Sequence, residues 1–254
     1  MKSVDKDLFQ SYKNHYNALS GLIESIPDDI KRTQRDRLPR CLKPIPKDAP
    51  ILDLGCAEGR LMEILQRCGY INATGVDVSE ALIEIAKKNL SPNTKLFTAD
   101  IFDFLKASDP SQYKVVFLND VLEHIHREHV LELLRLIYRA LEKGGILRLR
   151  VPNMSNIIAT HVGHIDFTHI THFNESSLVQ VLENSGFIRT EIVFEKQNPL
   201  LFWSWKEPHR AFFRLLNRIR WDLNNFIHRG IYLLQDAITM PKIFDLDLIC
   251  VAKK

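Results

Sequence analysis

From residue 50 onward, short apolar or β-branched runs alternate with segments whose apolar residues recur every three or four positions. That alternation predicts an α/β fold of parallel strands joined by helical crossovers. "ILDLG" (51–55) reads as the first strand, and its unbroken apolar run suits a strand buried on both faces. A helix follows with Leu61, Ile64, Leu65 and Cys68 on one side, and Gly69 ends it. "ATGVDV" (73–78) is the second strand, after which Ser79 caps a helix that turns Leu82, Ile85 and Ala86 inward. "TKLFTAD" (94–100) and "KVVFLND" (114–120) are strands three and four. Val130, Leu133, Leu134, Ile137 and Leu141 then recur at helical spacing, with a stop at Gly144 and Gly145 before the fifth strand, "ILRLRV" (146–151). A later helix has Asn174 as its cap, Phe173 and Leu178 placed as a hydrophobic staple, and Gly186 as terminator. "FIRTEIVFE" (187–195) and "FDLDLICVAKK" (244–254) alternate with period two and make strands six and seven.

Around this sheet the pattern predicts a Pro-punctuated helical extension over residues 1–49 and one domain over 50–254, interrupted by a helical insertion at 196–243. In the insertion, Phe212, Leu215, Leu216, Ile219, Leu223, Phe226 and Ile227 share a helical face, and Arg210, Arg214 and Arg218 form a stripe. A lid or homodimer helix with a solvated basic face is the plainer reading. Peripheral contact of 206–234 with an anionic membrane surface or an acidic glycan is the other. Trp203, Trp205 and Trp221 either stack on sugar rings or pack, and the region of Tyr12 and Tyr16 is expected to cover the site.

Composition narrows the setting. A chain of 254 residues, 45% hydrophobic and 26% charged, is an ordinary globular sequence. Cys41, Cys56, Cys68 and Cys250 lack the spacing of a disulfide framework or zinc knuckle, so a reducing, cytoplasmic setting is expected. The first residues carry acids and no apolar run, unlike a signal or transit peptide, and no stretch is long enough to cross a bilayer. A net charge of +3 is too small to imply nucleic acid as a partner.

"ILDLGCAEG" is a strand entering a glycine-bearing turn that opens a helix, where glycine permits positive φ and unpaired N–H groups face a ligand. Asp77 ends the second strand, where a carboxylate accepts both hydroxyls of a ribose. A dinucleotide site would want G-x-G-x-x-G, whereas this loop carries Glu58, which repels phosphate. An amino-acid-bearing nucleoside suits it better.

On these residues the chain resembles the class I S-adenosylmethionine-dependent methyltransferases, with Ala57 where many members have a glycine. The resemblance covers 50–195 and 244–254 and implies their Rossmann-like seven-stranded sheet with an antiparallel last strand. It implies S-adenosylmethionine as co-substrate, with Asp53, Gly55, Cys56 and Gly59 around its amino and carboxylate end and Asp77 and Val78 at the ribose. Asp100 and the Ile101 N–H, in "TADIFDF", would meet the adenine, and Asn119, in "FLNDVLEHI", the methionine arm. Read bare, Asp53 is a strand-end acid and Asp100 a helix cap. Glu123 and His124 serve either the site or the helix dipole, and both readings stand.

"HVGHIDFTHITHF" (161–173) follows strand five and overhangs the carboxyl ends of the strands, where ligands bind in open α/β sheets. Methyl transfer to a hydroxyl needs alignment and a proton acceptor. His169 is the expected base, with Asp166 to fix its tautomer and His172 beside it. "DFTHITHF" with the helix after it resembles a methyltransferase subgroup associated with bacterial surface-polysaccharide and lipopolysaccharide synthesis, which implies a sugar or saccharide-linked acceptor. A small-molecule or quinone acceptor, and a non-catalytic cofactor-binding module, are the alternatives. A divalent metal on His161, His164, Asp166, His169 and His172 is the rival to the base. Magnesium prefers oxygen, so no metal is assigned.

Overall fold

The computed structural model describes residues 38–158, 166–195, 208–234 and 240–254, with side chains of the 208–234 segment described at 216 and from 218. Its strands are β1 (Ile51–Leu54), β2 (Ala73–Asp77), β3 (Lys95–Thr98), β4 (Tyr113–Asn119), β5 (Leu141–Pro152), β6 (Ile192–Glu195) and β7 (Asp247–Lys253). The helices are α1 (Arg60–Arg67), α2 (Glu80–Asn89), α3 (Ile101–Ala107), α4 (Arg127–Ala140), α5 (Glu175–Glu183) and α6 (Pro208–Leu234). The strands form one seven-stranded sheet in the order β3-β2-β1-β4-β5-β7-β6. β7 lies antiparallel between β5 and β6, and the other described pairings are parallel. This is the seven-stranded sheet with an antiparallel last strand that the sequence resemblance implied.

Period-two patterning divides the strands between two cores. Leu52 and Leu54 of β1, Val116 and Leu118 of β4, and Leu147, Leu149 and Val151 of β5 face α4 and α5, whose Leu133, Leu134, Ile137, Leu178 and Leu182 are fully buried. Ile51, Val115 and Phe117 face the other way, onto Met62 and Leu65 of α1 and Ile83 and Ala86 of α2. Leu42, Ile45 and Ala49 join this second core, and Tyr70 donates its hydroxyl to the Leu42 carbonyl at 2.6 Å. Residues 38–49 are therefore packed onto the sheet.

Two expected boundaries and one buried position move. α4 ends at Ala140 instead of reaching Gly144, because Leu141 already pairs with Tyr113. Gly144 at φ +72 and Gly145, where a Cβ would meet the Glu142 carbonyl oxygen at 2.8 Å, absorb the register shift. Strand six shrinks to Ile192–Glu195, since 189–191 wind into a 3-10 turn closed by Glu191 N–H to Ile188 O. Ile83, not Ile85, is the more deeply buried isoleucine of α2. The caps stand: Ser79 accepts from Leu82 N–H, and Asn174 and Ser177 form a reciprocal capping box over the buried pair Phe173 and Leu178.

In the insertion, α6 docks by polar contacts. Trp221 donates to Asp245 at 2.6 Å, His228 accepts the Ile157 N–H at 2.9 Å, and Tyr232 donates to the Ser155 carbonyl. Trp221 thus packs and lies apart from the main cleft, and Arg218 is paired with Asp222. Among the described residues, no helix is long and apolar enough to cross a membrane. Tyr12, Tyr16, His161, His164, Trp203 and Trp205, with the side chains of Arg210 and Arg214, lie outside the described residues.

The turn from β1 into α1 has the tightest backbone. Gly55, Ala57 and Gly59 all take positive φ, at 74°, 47° and 82°. Gly55 has no alternative, because a Cβ there would sit 2.4 Å from Val121 Cγ2. Ala57 holds a conformation that costs an L residue about 1–2 kcal/mol. Gly55→Ala is expected to destabilise the protein by roughly 2–4 kcal/mol through overlap and strain, while Ala57→Gly leaves stability unchanged or raises it by up to about 1 kcal/mol. Chemical denaturation of the two variants beside wild type measures both.

Candidate active site

A cleft of about 1130 Å³ opens at the carboxyl ends of the parallel strands, where β1 separates the β2 side from the β4 side. This is the topological switch point at which open α/β sheets bind ligands. Asp53, Gly55, Cys56, Asp77, Val78, Asp100, Ile101 and Asn119 line it. Gly59 does not, and its missing Cβ instead makes room for Leu90 at 2.8 Å, so this glycine serves the packing of α1 on α2.

The acids arrive already engaged. Asp77 accepts the Ala57 N–H through Oδ2 and the Ser79 N–H through Oδ1, each at 2.9 Å. It thereby ties the glycine turn to the end of β2, and burial raises its pKa against the lowering effect of those N–H groups. Asp53 is 3% exposed, and burial, with Asp77 second, pushes its carboxyl up to about 7. Asp100 caps α3, its Oδ1 accepting from Phe102 N–H at 2.8 Å and Asp103 N–H at 3.4 Å. The helix-cap reading is therefore real, and the residue still faces the cleft. Asn119 accepts from Arg148 Nη1 at 3.0 Å. With Glu58 also on the wall, paired to Arg60, this side of the cleft is rich in carboxylates and suits a cationic ligand.

In the histidine segment, Asp166 Oδ1 accepts the Thr168 N–H at 2.8 Å and the Thr168 hydroxyl at 2.6 Å. The Thr168 hydroxyl, having donated, accepts from His124 Nδ1 at 2.8 Å, and the Thr168 carbonyl shares that N–H at 3.2 Å. The bonding assigns His124 the Nδ1–H tautomer, with the lone pair on Nε2. Burial, then the neighbouring His169, lower its pKa to about 4 against the raising pull of Asp166, so the ring is neutral at ordinary pH.

His124 and Thr168 line the cleft, whereas Asp166, His169 and His172 do not. His169 stands against His124, ring centroids 4.8 Å apart, and His172 is exposed. The imidazole that borders the cleft is that of His124, linked to Asp166 through Thr168, and the Thr168–His124 contact spans 44 residues of sequence. The signal for it was the pair Glu123–His124 just past β4. The segment is pinned there by Ile170 and Thr171 N–H groups on the Glu123 carbonyl, and by the Thr171 hydroxyl on the Ile125 carbonyl at 2.6 Å.

Comparisons with known proteins bear on the fold and the family. The family model described as "Methyltransferase domain" matches residues 28–191. Carboxy-S-adenosyl-L-methionine synthase of Campylobacter fetus is 35% identical over 108 residues, 41% of this chain and 44% of that protein. Trans-aconitate 2-methyltransferase of Variovorax paradoxus is 28% identical over 127 residues, covering 50% and 46%. Ubiquinone biosynthesis O-methyltransferase of Coxiella burnetii is 32% identical over 80 residues, covering 31% and 34%. The chain spans less than half the length of these curated relatives. Among solved structures, a SAM dependent methyltransferase from Archaeoglobus fulgidus superposes with a TM-score of 0.64 at 20% identity, covering 96% of this chain and 99% of that one, which shows the fold. A Haemonchus contortus phosphoethanolamine N-methyltransferase solved with S-adenosyl-L-methionine superposes at 0.55 with 18% identity, covering 87% of this chain and 52% of that one. With the strand order, the glycine turn and the match over 28–191 together, the chain belongs to the S-adenosylmethionine-dependent methyltransferase family.

Proposed function

We propose that the protein transfers the methyl group of S-adenosylmethionine to a hydroxyl of a sugar or saccharide-linked acceptor. The observation that carries this is His124: a neutral imidazole on the cleft wall, fixed in one tautomer by the Asp166–Thr168 chain. In this reading Asp53 meets the cofactor's ammonium group, Asp77 its ribose, Asp100 and Ile101 its adenine, and the strand-four end its sulfonium. The carboxylates around Gly55 favour the cation over the neutral thioether product. The sulfonium is a good leaving group, so the protein has to align the acceptor oxygen with the S–CH3 bond and help that oxygen lose its proton. The Nε2 lone pair of His124 is what the wall offers for that task, to a proton or to a cation that does the same work.

A saccharide suits the acceptor side because the wall beyond His124 is polar, with Thr168 and the Arg150–Asp120 ion pair. Phe167, 85% exposed at the rim, adds a flat apolar ring for the C–H face of a sugar. The ubiquinone O-methyltransferase likeness over 80 residues favours a second reading, in which the acceptor is a small phenol.

His124→Ala is expected to lower turnover by about 10²–10⁴-fold, with S-adenosylhomocysteine affinity within a few-fold of wild type. Thr168→Val, which keeps the shape and removes the hydroxyl, is expected to cost about tenfold or more. Radiolabelled methyl transfer to a panel of saccharides and phenols, with calorimetry of the product, measures both effects and separates the two acceptor classes; unchanged turnover in His124→Ala sinks the assignment.

The raised pKa of Asp53 gives cofactor binding a pH dependence. A carboxyl that ionises near 7 is neutral below that pH in the empty site, and must lose its proton to pair with an ammonium group. Affinity for S-adenosylhomocysteine is expected to rise by up to about tenfold per pH unit between pH 5.5 and 7 and then level. Asp53→Asn is expected to bind weakly and without that slope, as calorimetry across the range will read.

A further inference from the structure

We propose that Glu123, His124 and His169 form a site for one divalent transition-metal ion, and that the acceptor hydroxyl binds this ion in the reaction. One ligand atom from each of the three lies within 4.8 Å of the other two. The inference rests on the reading of His124 as the acceptor-side residue and deepens it.

Glu123 supplies the independent observation. It is 2% exposed, and its Oε2 is shut off from solvent with no hydrogen-bond partner among the described residues. A buried carboxylate oxygen without a partner is costly and uncommon. Arg150, whose charge acts on Glu123, is itself bound to Asp120. An ion between Glu123 and the two imidazoles would give that oxygen its partner.

The surroundings of His124 fit a metal-ligating imidazole. Its Nδ1–H is held by Thr168, and Thr168 in turn by Asp166, the outer-shell arrangement that fixes a ligand's tautomer and raises its basicity. Two neutral nitrogens with one carboxylate suit zinc, manganese or iron better than calcium or magnesium. Bonds of about 2.0–2.1 Å hold tetrahedral ligand atoms roughly 3.4 Å apart, so loading draws this set inward by about an ångström or more. Three protein ligands leave positions open, and His124 borders the cleft where an acceptor enters. A hydroxyl bound to the ion loses its proton to solvent. Its oxygen then bonds to the methyl carbon as the carbon–sulfur bond breaks, the electron pair stays on sulfur, and S-adenosylhomocysteine leaves. No oxidant or reductant is involved. Sequence spacing had offered a metal only to residues 161–172, whereas two of these three ligands come from the end of β4.

The test uses the full chain, freed of metal with a chelator and dialysed, then titrated with zinc or manganese chloride by calorimetry and assayed for retained metal after desalting. One equivalent per chain is expected, with a rise in melting temperature. Glu123→Gln and His169→Gln are each expected to weaken binding by about 10-fold or more. A cobalt titration read by visible absorbance follows the same site spectroscopically, and thermal melts confirm that the variants fold; should one not fold, the other and the wild-type cobalt spectrum decide. Absence of stoichiometric uptake of both zinc and manganese, with S-adenosylhomocysteine still bound, overturns the metal site and leaves the methyl-transfer reading standing. Uptake undiminished in both variants overturns it as well, since the ion then lies elsewhere. Wild type that takes up the ion but fails to bind S-adenosylhomocysteine strikes the methyl-transfer reading instead.

Discussion

The Asp77 carboxylate clamps the turn on which the cleft is built. The chain leaving β1 passes through three left-handed residues within five positions, a path that local propensity opposes at Ala57. Two backbone bonds to Asp77, and the Gly55 and Cys56 N–H groups on the Val76 carbonyl, close that path against the end of β2. The cost of ordering the turn is thus met by the neighbouring strand. Because the clamp is itself an acid, the same interaction that shapes the loop also sets the charge of the cavity beside it. Asp53 feels this directly, as the second cause of its raised pKa after burial.

A second cavity wall is fastened in the same manner from the other side. Asn153, fully buried, donates to the Ile243 and Asp245 carbonyls and accepts from Ser155 N–H, holding the exit of β5 against the approach to β7. Asn153 also bridges to Phe173, and Thr171 reaches the Ile125 carbonyl, so the chain returns over β4 before entering α5. The ends of β4 and β5 thereby carry one polar assembly in which Asp166, Thr168 and His124 are adjacent. Glycine flexibility shapes the β1 side of the cleft, and buried side-chain to backbone bonds shape the β4 and β5 side.

Charge divides along the same line. Carboxylates gather around the β1 and β2 ends, where they favour a cationic ligand. The β4 and β5 ends pair their charges, Arg150 with Asp120 and Arg148 with Glu195.

The sequence by itself determined the sheet, the order of its crossovers and the cofactor wall. Strand alternation, caps such as Ser79 and Asn174, and the turn "LGCAEG" are local signals, and residues that act within one turn of one another carry their own instructions. It misplaced the start of β5, which Tyr113 of another strand decides, and gave no sign that Gly59 packs against Leu90 at the end of α2. Only the tertiary structure decided the acceptor wall. Thr168 donates to the Asp166 carboxylate and accepts from His124 across 44 positions. Nothing in a linear pattern ranks those partners, because the choice follows from where the ends of β4 and β5 lie in space, and that is fixed by burial of the two cores beneath them.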